Sequence, residues 1–307
     1  MLKNFVSLKY FSKKRIKGLI KLSGEVKSHP SKFRKSLEGI NIGLLFEKPS
    51  LRTKASFFVA AYQLGANPLY FSPAEVRLQE RESVFDVAKT ISRYLNCVVL
   101  RTFSHDIILD FVKASTVPVI NGLSDLLHPS QVLGDLFTLY ELKRDLRKIK
   151  FVYIGDGNNV CHSLIYAFGI LGGNLTIATP KNYGPSKDIL KEVRDFARVS
   201  EARFDILNDP LEAAQDADIL YTDVWASMGK EKEAKMRINM FKRYQVNDKL
   251  LKLAKRSCLI MHCLPAYRGK EITSSVLDSK NSIVFLQAEN RLHTAKAILI
   301  SLLSASC

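Results

Sequence analysis

The sequence predicts an α/β protein of two domains, each a parallel β-sheet flanked by helices, with the active site in the cleft between them. Three observations carry that prediction. Short apolar, partly β-branched runs alternate with amphipathic helical patterns from end to end, as in parallel sheets covered by helices on both faces. At 307 residues, 47% hydrophobic and 25% charged, the chain has the length and composition of a globular protein of two domains. Polar, chemically capable residues follow the ends of the apolar runs, where open α/β sheets hold their ligands.

Taken in order, the strand candidates are 40–46, 68–71, 97–101, 117–120, 150–154, 174–178, 203–206, 218–222, 258–262 and 282–286. Amphipathic stretches such as Ser83 to Leu95, Gln131 to Leu146 and Pro185 to Val199 lie between them. The basic segment from Met1 to Leu22 carries Phe5, Phe11, Ile16, Leu19 and Ile20. It lacks the arginine richness of a transit peptide and reads as the first helix. A helix around 131–148 places a domain break near residue 140, giving domains of 1–140 and 141–287. A C-terminal helix over about 288–307 is expected to pack back on the first domain.

The stretch from Phe46 to Phe57 holds the strongest chemical signal. The apolar run 40–46 ends there, and helical spacing from Ala55 to Gly65 follows. Ser50 thus falls at a helix N-cap, with free backbone N–H groups just beyond it. Ser50, Arg52, Thr53 and those N–H groups, Leu51 included, form an anion cradle suited to phosphate. Taken alone, Ser-x-Arg-Thr is also an ordinary capping signature.

Net charge is +16, from 46 Lys and Arg against 30 Asp and Glu. Nucleic-acid binding is the rival from another class, but the basic residues are spread along the whole chain and no nucleic-acid motif accompanies them. No apolar run approaches the roughly 18 residues of a membrane span. The five cysteines are scattered without a Cys-x-x-Cys pair, which argues against a disulfide framework and for a cytoplasmic location. Gly155-Asp156-Gly157 invites a dinucleotide reading that fails, because the third glycine would fall at Val160. A Cys263 nucleophile or a metal at His262-Cys263 lacks partners at recognisable spacing.

Ser50-Leu51-Arg52-Thr53-Lys54 resembles the Ser-Thr-Arg-Thr-Arg phosphate signature of the aspartate/ornithine carbamoyltransferase family, with Leu51 and Lys54 as departures. The resemblance continues through Arg101, His128-Pro129-Ser130-Gln131, Asp156-Gly157-Asn158-Asn159, Asp223-Val224-Trp225-Ala226-Ser227-Met228-Gly229, His262-Cys263-Leu264-Pro265 and Ala288-Glu289-Asn290-Arg291. It spans about residues 4 to 303 and implies the following roles. Ser50, Leu51, Arg52 and Thr53 hold the phosphate of carbamoyl phosphate, together with Arg291. Arg101, His128 and Gln131 hold the carbamoyl group, and Cys263 and Leu264 border it. Asn159, Asp223, Ser227 and Met228 hold the amino-acid acceptor. The first domain then binds carbamoyl phosphate and the second binds ornithine. The Asp223 loop and Cys263 resemble the ornithine branch, so the implied reaction transfers the carbamoyl group to the side-chain amine of L-ornithine. Arg52, Arg101, His128 and Cys263 are the implied catalytic residues, acting by positioning and preorganised charge. The resemblance implies no metal or organic cofactor, no nucleic-acid or membrane partner, and a homotrimer. The helix start Glu82-Ser83 with Asp86 also resembles the family, whose preceding loop reaches a neighbouring subunit; here that loop carries Arg77 and Gln79.

Overall fold

A computed structural model describes residues 4–76, 78–80, 82–225 and 234–304. The chain forms two compact units, one running to Glu141 and resuming at Glu289, the other Leu142–Ala288. In the first, strands β1 (Asn41–Phe46), β2 (Asn67–Phe71), β3 (Cys97–Arg101) and β4 (Val119–Leu123) form an all-parallel sheet in the order β2-β1-β3-β4. Its helices are α1 (Lys13–Ser28), α2 (Leu51–Gln63), α3 (Pro73–Val76), α4 (Val84–Ile91), α5 (His105–Ala114) and α6 (Pro129–Glu141).

In the second unit, β5 (Lys150–Ile154), β6 (Asn174–Ala178), β7 (Arg203–Leu207), β8 (Ile219–Thr222) and β9 (Leu259–His262) are parallel in the order β7-β6-β5-β8-β9. Helices α7 (Asn159–Leu171), α8 (Lys187–Ser200), α9 (Pro210–Ala214), α10 (Ala234–Phe241), α11 (Asp248–Leu253) and α12 (Ser274–Leu277) accompany them. The last helix is α13 (Val284–Leu303).

The central strands are covered on both faces, which is why they read as unbroken apolar runs: all five residues of β3 are buried. In the first unit Val98 and Leu100 pack with Ala88, Ile108 and Phe111. In the second, Val152, Ile154, Leu220 and Ile260 pack with Trp225, Phe241 and Tyr244. Each Val, Leu, Ile or Phe among these, fully buried, contributes about 1.5–3 kcal/mol. Helix α2 stops where Gly65 takes φ +88°; a Cβ there would also lie 2.9 Å from the Arg34 carbonyl oxygen.

Three expectations are corrected. Residues 282–286 are not a strand: Ser282 makes one parallel bridge to Ile260, and the apolar run Ile283 to Leu286 then opens α13. A short apolar run fits a buried strand or a buried helix equally well, and here length favours the helix. The N-terminal segment is not helical from the start. Phe5 bridges Ile120 at the edge of β4, a 3-10 turn follows at Leu8–Tyr10, and α1 begins only after the Ser12 cap. The helix expected over 131–148 is instead α6, ending at Glu141 and buried along nearly its whole length.

Each sheet reverses its strand order once, and the reversal positions the chemistry. In the first unit it lies between β1 and β3, which lead into the Ser50 turn and Arg101. In the second it lies between β5 and β8, which lead into Asp156–Asn159 and Asp223. Ligands of open α/β sheets bind at such reversals.

Candidate active site

In the first unit, β1 delivers Ser50 to the N-cap of α2, where its hydroxyl accepts from the Thr53 N–H at 3.2 Å. The side chain of Leu51 is exposed, so this residue offers the site only its backbone. Thr53 is buried, and its Oγ1 accepts from Arg291 Nη2 at 2.9 Å and from Arg101 Nη1 at 3.4 Å. One hydroxyl at a helix N-terminus therefore gathers two guanidinium groups from α13 and the end of β3.

Arg291 is set in place by its neighbours. A Cβ at Gly134 of α6 would meet its Cγ at 3.1 Å, so the helices approach closely there. Next to it, Asn290 donates to Thr138 Oγ1 at 3.1 Å and accepts from Lys27 Nζ at 2.9 Å, and Lys27 in turn pairs with Glu141 at 2.8 Å.

His128, just before α6, is buried, and its Nδ1 lies 3.4 Å from Ser130 Oγ. Burial, then the positive charges of Arg291, Arg101 and Lys48, hold its pKa well below the usual imidazole range. It is therefore neutral at physiological pH, able to donate one hydrogen bond without adding charge. Gln131, in the first turn of α6, donates its amide to Asp135 at 2.9 Å. Because a carboxylate must face the NH₂, the buried Oε1 faces the other way, and it has no partner among the described residues. It is placed to accept one hydrogen bond from an N–H donor.

Lys48 is the residue of this half that sequence reasoning missed. It is buried, and its ammonium lies 4.8 Å from the centre of the Phe103 ring. Burial and the charge of Arg101 push its pKa down to about 8, against the opposing pull of Asp125 and Glu47. Its only sequence signal is its place between the strand end and the capping serine. Like charges gathered out of water are unfavourable by themselves and favourable around an anion.

In the second unit, β5 leads through Asp156-Gly157 to Asn158, which caps α7 by accepting from the N–H groups of Val160 and Cys161 at 3.0 and 3.1 Å. Its amide nitrogen donates to Asp223 Oδ2 at 2.7 Å. Asp223 Oδ1 accepts from the Val224 N–H at 2.7 Å and from the Cys263 thiol at 2.8 Å. The buried carboxylate is thus aimed by three donors. Burial and Asp223 raise the pKa of Tyr153 well above its usual value, so its hydroxyl remains protonated and donates to Asn158 Oδ1 at 3.1 Å. Asn159, which the sequence offers for the amino-acid acceptor, is buried in the first turn of α7, and Asn158 beside it, absent from the sequence assignment, hydrogen-bonds Asp223. The polar-then-apolar pattern of a helix cap was the available signal for Asn158.

Cys263 and Leu264 follow β9, and Leu264 takes the left-handed conformation at φ 56° before a cis bond to Pro265. One ligand atom each from Asp223, His262 and Cys263 falls within 4.8 Å of the others. Both ring nitrogens of His262 are engaged, Nε2 with Glu271 at 3.2 Å and Nδ1 with the Leu264 N–H at 2.8 Å. Of the trio, Asp223 and Cys263 are joined by a hydrogen bond, while the His262 ring is already bonded to Glu271 and the Leu264 N–H. Ser227 and Met228 lie outside the described residues, as does Arg77. The first unit thus brings together Ser50, Thr53, Arg101, His128 and Arg291 around one helix N-terminus, with Arg52 partly buried on the same turn. The second brings together Asp223 and Cys263.

Comparison with known proteins places the whole chain. A family model described as the carbamoyl-P binding domain of aspartate/ornithine carbamoyltransferase matches residues 3–141, and one described as the Asp/Orn binding domain matches 147–302. A protein of Pyrococcus horikoshii named ornithine carbamoyltransferase is 47% identical over 267 residues, covering 87% of this chain and 84% of its own length. The structure of ornithine carbamoyltransferase from Pyrococcus furiosus superposes with a TM-score of 0.95 at 42% identity, covering 99% of this chain and 98% of that one. The anabolic ornithine carbamoyltransferase of Campylobacter jejuni gives 0.94 at 37% identity, covering 98% and 99%.

Proposed function

The chain belongs to the aspartate/ornithine carbamoyltransferase family, and from that premise we propose that it transfers the carbamoyl group of carbamoyl phosphate to the side-chain amine of L-ornithine, giving L-citrulline and phosphate. The observation that carries the donor half is the Thr53 hydroxyl shared by Arg291 and Arg101 at the N-terminus of α2, beside a neutral His128. Ser50, the Leu51 backbone, Arg52, Thr53 and Arg291 take the phosphate. Arg101 and His128 polarise the carbamoyl oxygen, and Gln131 Oε1 accepts from the carbamoyl NH₂.

On the acceptor half, Asp223 takes the α-ammonium of ornithine, and the family reading assigns Asn159, Ser227 and Met228 to the same substrate. Cys263 and Leu264 border the reacting amine. The neutral amine attacks the carbamoyl carbon and a C–N bond forms. The tetrahedral oxyanion is stabilised by Arg101 and His128. The C–O bond to phosphate then breaks, and the leaving phosphate takes the surplus amine proton. The negative charge that develops on the oxyanion and the phosphate thus faces preorganised donors.

The domains of this reading are 1–140 for carbamoyl phosphate and 141–287 for ornithine. An exposed apolar stripe on α2, formed by Leu51, Phe58, Val59 and Tyr62, supports self-association, which in this family reading is a homotrimer. The anabolic name of the Campylobacter relative supports the direction of arginine synthesis. Buried thiols at Cys97, Cys161 and Cys258 suit a reducing cytoplasm, and among the described residues no helix is long and apolar enough to cross a membrane. The test is citrulline formation by the purified chain, with putrescine, acetylornithine and aspartate as competing acceptors. Turnover of one of those instead of ornithine overturns the acceptor assignment. No carbamoyl transfer, with salt-sensitive binding to nucleic acid, overturns the whole reading.

A further inference from the structure

Arg237 is a buried cation that the donor and acceptor chemistry does not use. It sits on α10, and its Nη1 donates to Asp156 Oδ2 at 2.8 Å and to the Trp225 carbonyl at 2.9 Å. Its guanidinium carbon lies 5.1 Å from the centre of the Tyr183 ring. Those three partners come from the loops after β5, β8 and β6. The first and last of these loops are in backbone contact. The Gly157 N–H donates to the Tyr183 carbonyl at 2.8 Å, and a Cβ on Gly157 would lie 2.2 Å from the carbonyl carbon of Gly184.

A closed circuit results. Arg237 holds Asp156, and two residues on, Asn158 holds Asp223 through a 2.7 Å bond; two residues past Asp223, the Trp225 carbonyl returns to Arg237. We propose that Arg237 is a positioning residue for the acceptor site, fixing the direction of the Asp223 carboxylate by tying the Trp225 carbonyl, two residues past it, to the Asp156 loop whose Asn158 holds it. The proposal rests on the reading of Asp223 as the ornithine contact. Stability alone is a poor reason for such a group, because desolvation offsets most of the attraction in a buried ion pair. One nitrogen bridging a carboxylate and a main-chain carbonyl of separate loops instead specifies an orientation.

The test uses the full chain with Arg237→Gln, Arg237→Lys and the paired Asp156→Asn/Arg237→Gln, which leaves no lone buried charge and so keeps the fold accessible. Ornithine is varied at saturating carbamoyl phosphate, donor affinity is measured by calorimetry, and the emission of Trp225, the single tryptophan, reports the local environment. Displacing a binding group by an ångström costs on the order of a hundredfold, so kcat/KM for ornithine should fall by about that factor. The loss should appear mainly in KM, with the donor dissociation constant unchanged, Trp225 emission altered, and part of the loss recovered by Arg237→Lys. A folded paired variant with wild-type KM for ornithine overturns the proposal. So does a set of variants that lose only folded protein while the remaining enzyme keeps its KM. A wild-type chain that makes no citrulline removes the underlying assignment of Asp223, and wild-type turnover tells the two failures apart.

Discussion

Lys48→Met tests whether buried positive charge is held in the donor site for an anion rather than for stability. Lys48 is buried beside Arg101, and its pKa is pushed from 10.5 down to about 8. At 1.36 kcal/mol per unit, keeping it charged in the unliganded fold costs about 3 kcal/mol, an order-of-magnitude figure. The sign follows from proton counting. Below pH 8 both folded and unfolded chains carry the proton, and the folded one bears the whole penalty. Between about pH 8 and 10.5 the folded chain releases the proton first, the unfolded chain binds more protons, and stability rises with pH.

Methionine keeps the length and apolar stem without the charge. Urea unfolding of the unliganded variant at pH 7 should therefore show a gain of up to about 3 kcal/mol, less what is lost from the contact with Phe103. That gain should shrink toward pH 10. Carbamoyl phosphate should bind the variant more weakly at pH 7. Its affinity for the wild type should fall about tenfold per pH unit above pH 8, a dependence absent from the variant. A variant less stable at pH 7 and unchanged in donor affinity would refute the reasoning.

Arg52→Ala should leave far-ultraviolet circular dichroism unchanged and weaken carbamoyl phosphate binding by about 1.5–3 kcal/mol, the range for a hydrogen bond to a charged group, read by calorimetry. At saturating donor, kcat/KM for ornithine should climb from neutral toward alkaline pH as the free amine becomes available; a flat profile with chemistry rate-limiting counts against amine attack. Because His128 is buried with its pKa held well below 6.5, the unfolded chain takes up a proton near pH 6.5 that the folded chain refuses, so stability declines as pH falls below that point. His128→Gln should reduce this acid sensitivity in urea titrations, and the His128 ring should show no protonation shift by NMR down to pH 6.

Legibility varied with the range of the forces involved. The Ser50 cap and the start of α2 were visible because capping is local: a short polar side chain, a helical apolar period and a glycine stop lie within a few residues. The parallel sheets were visible because strands buried on both faces need continuous apolar runs, as in Cys97 to Leu100. Residues 282–286 misled for the same reason, since burial alone demands apolar residues of strand and helix alike. The N-terminal helix was placed too early because Phe5 is apolar for pairing against Ile120, a contact far away in sequence.

By itself, the sequence determined the α/β class and the Ser50 cap at the start of α2, and through its family resemblance it singled out Arg101, His128, Asp223, Cys263 and Arg291 as the residues to propose for the site. All but Arg291 lie at a strand end or just before a helix, where local pattern and motif coincide; Arg291 lies inside α13 and was marked by motif alone. Tertiary structure alone decided that Arg101 and Arg291 share the Thr53 hydroxyl, that Lys48 is buried among cations, and that Asn158 holds Asp223. It alone decided that Arg237 ties the loops after β5 and β8 together. These contacts join residues distant along the chain, and burial, charge coupling and hydrogen-bond direction exist only once folding has brought them within a few ångströms.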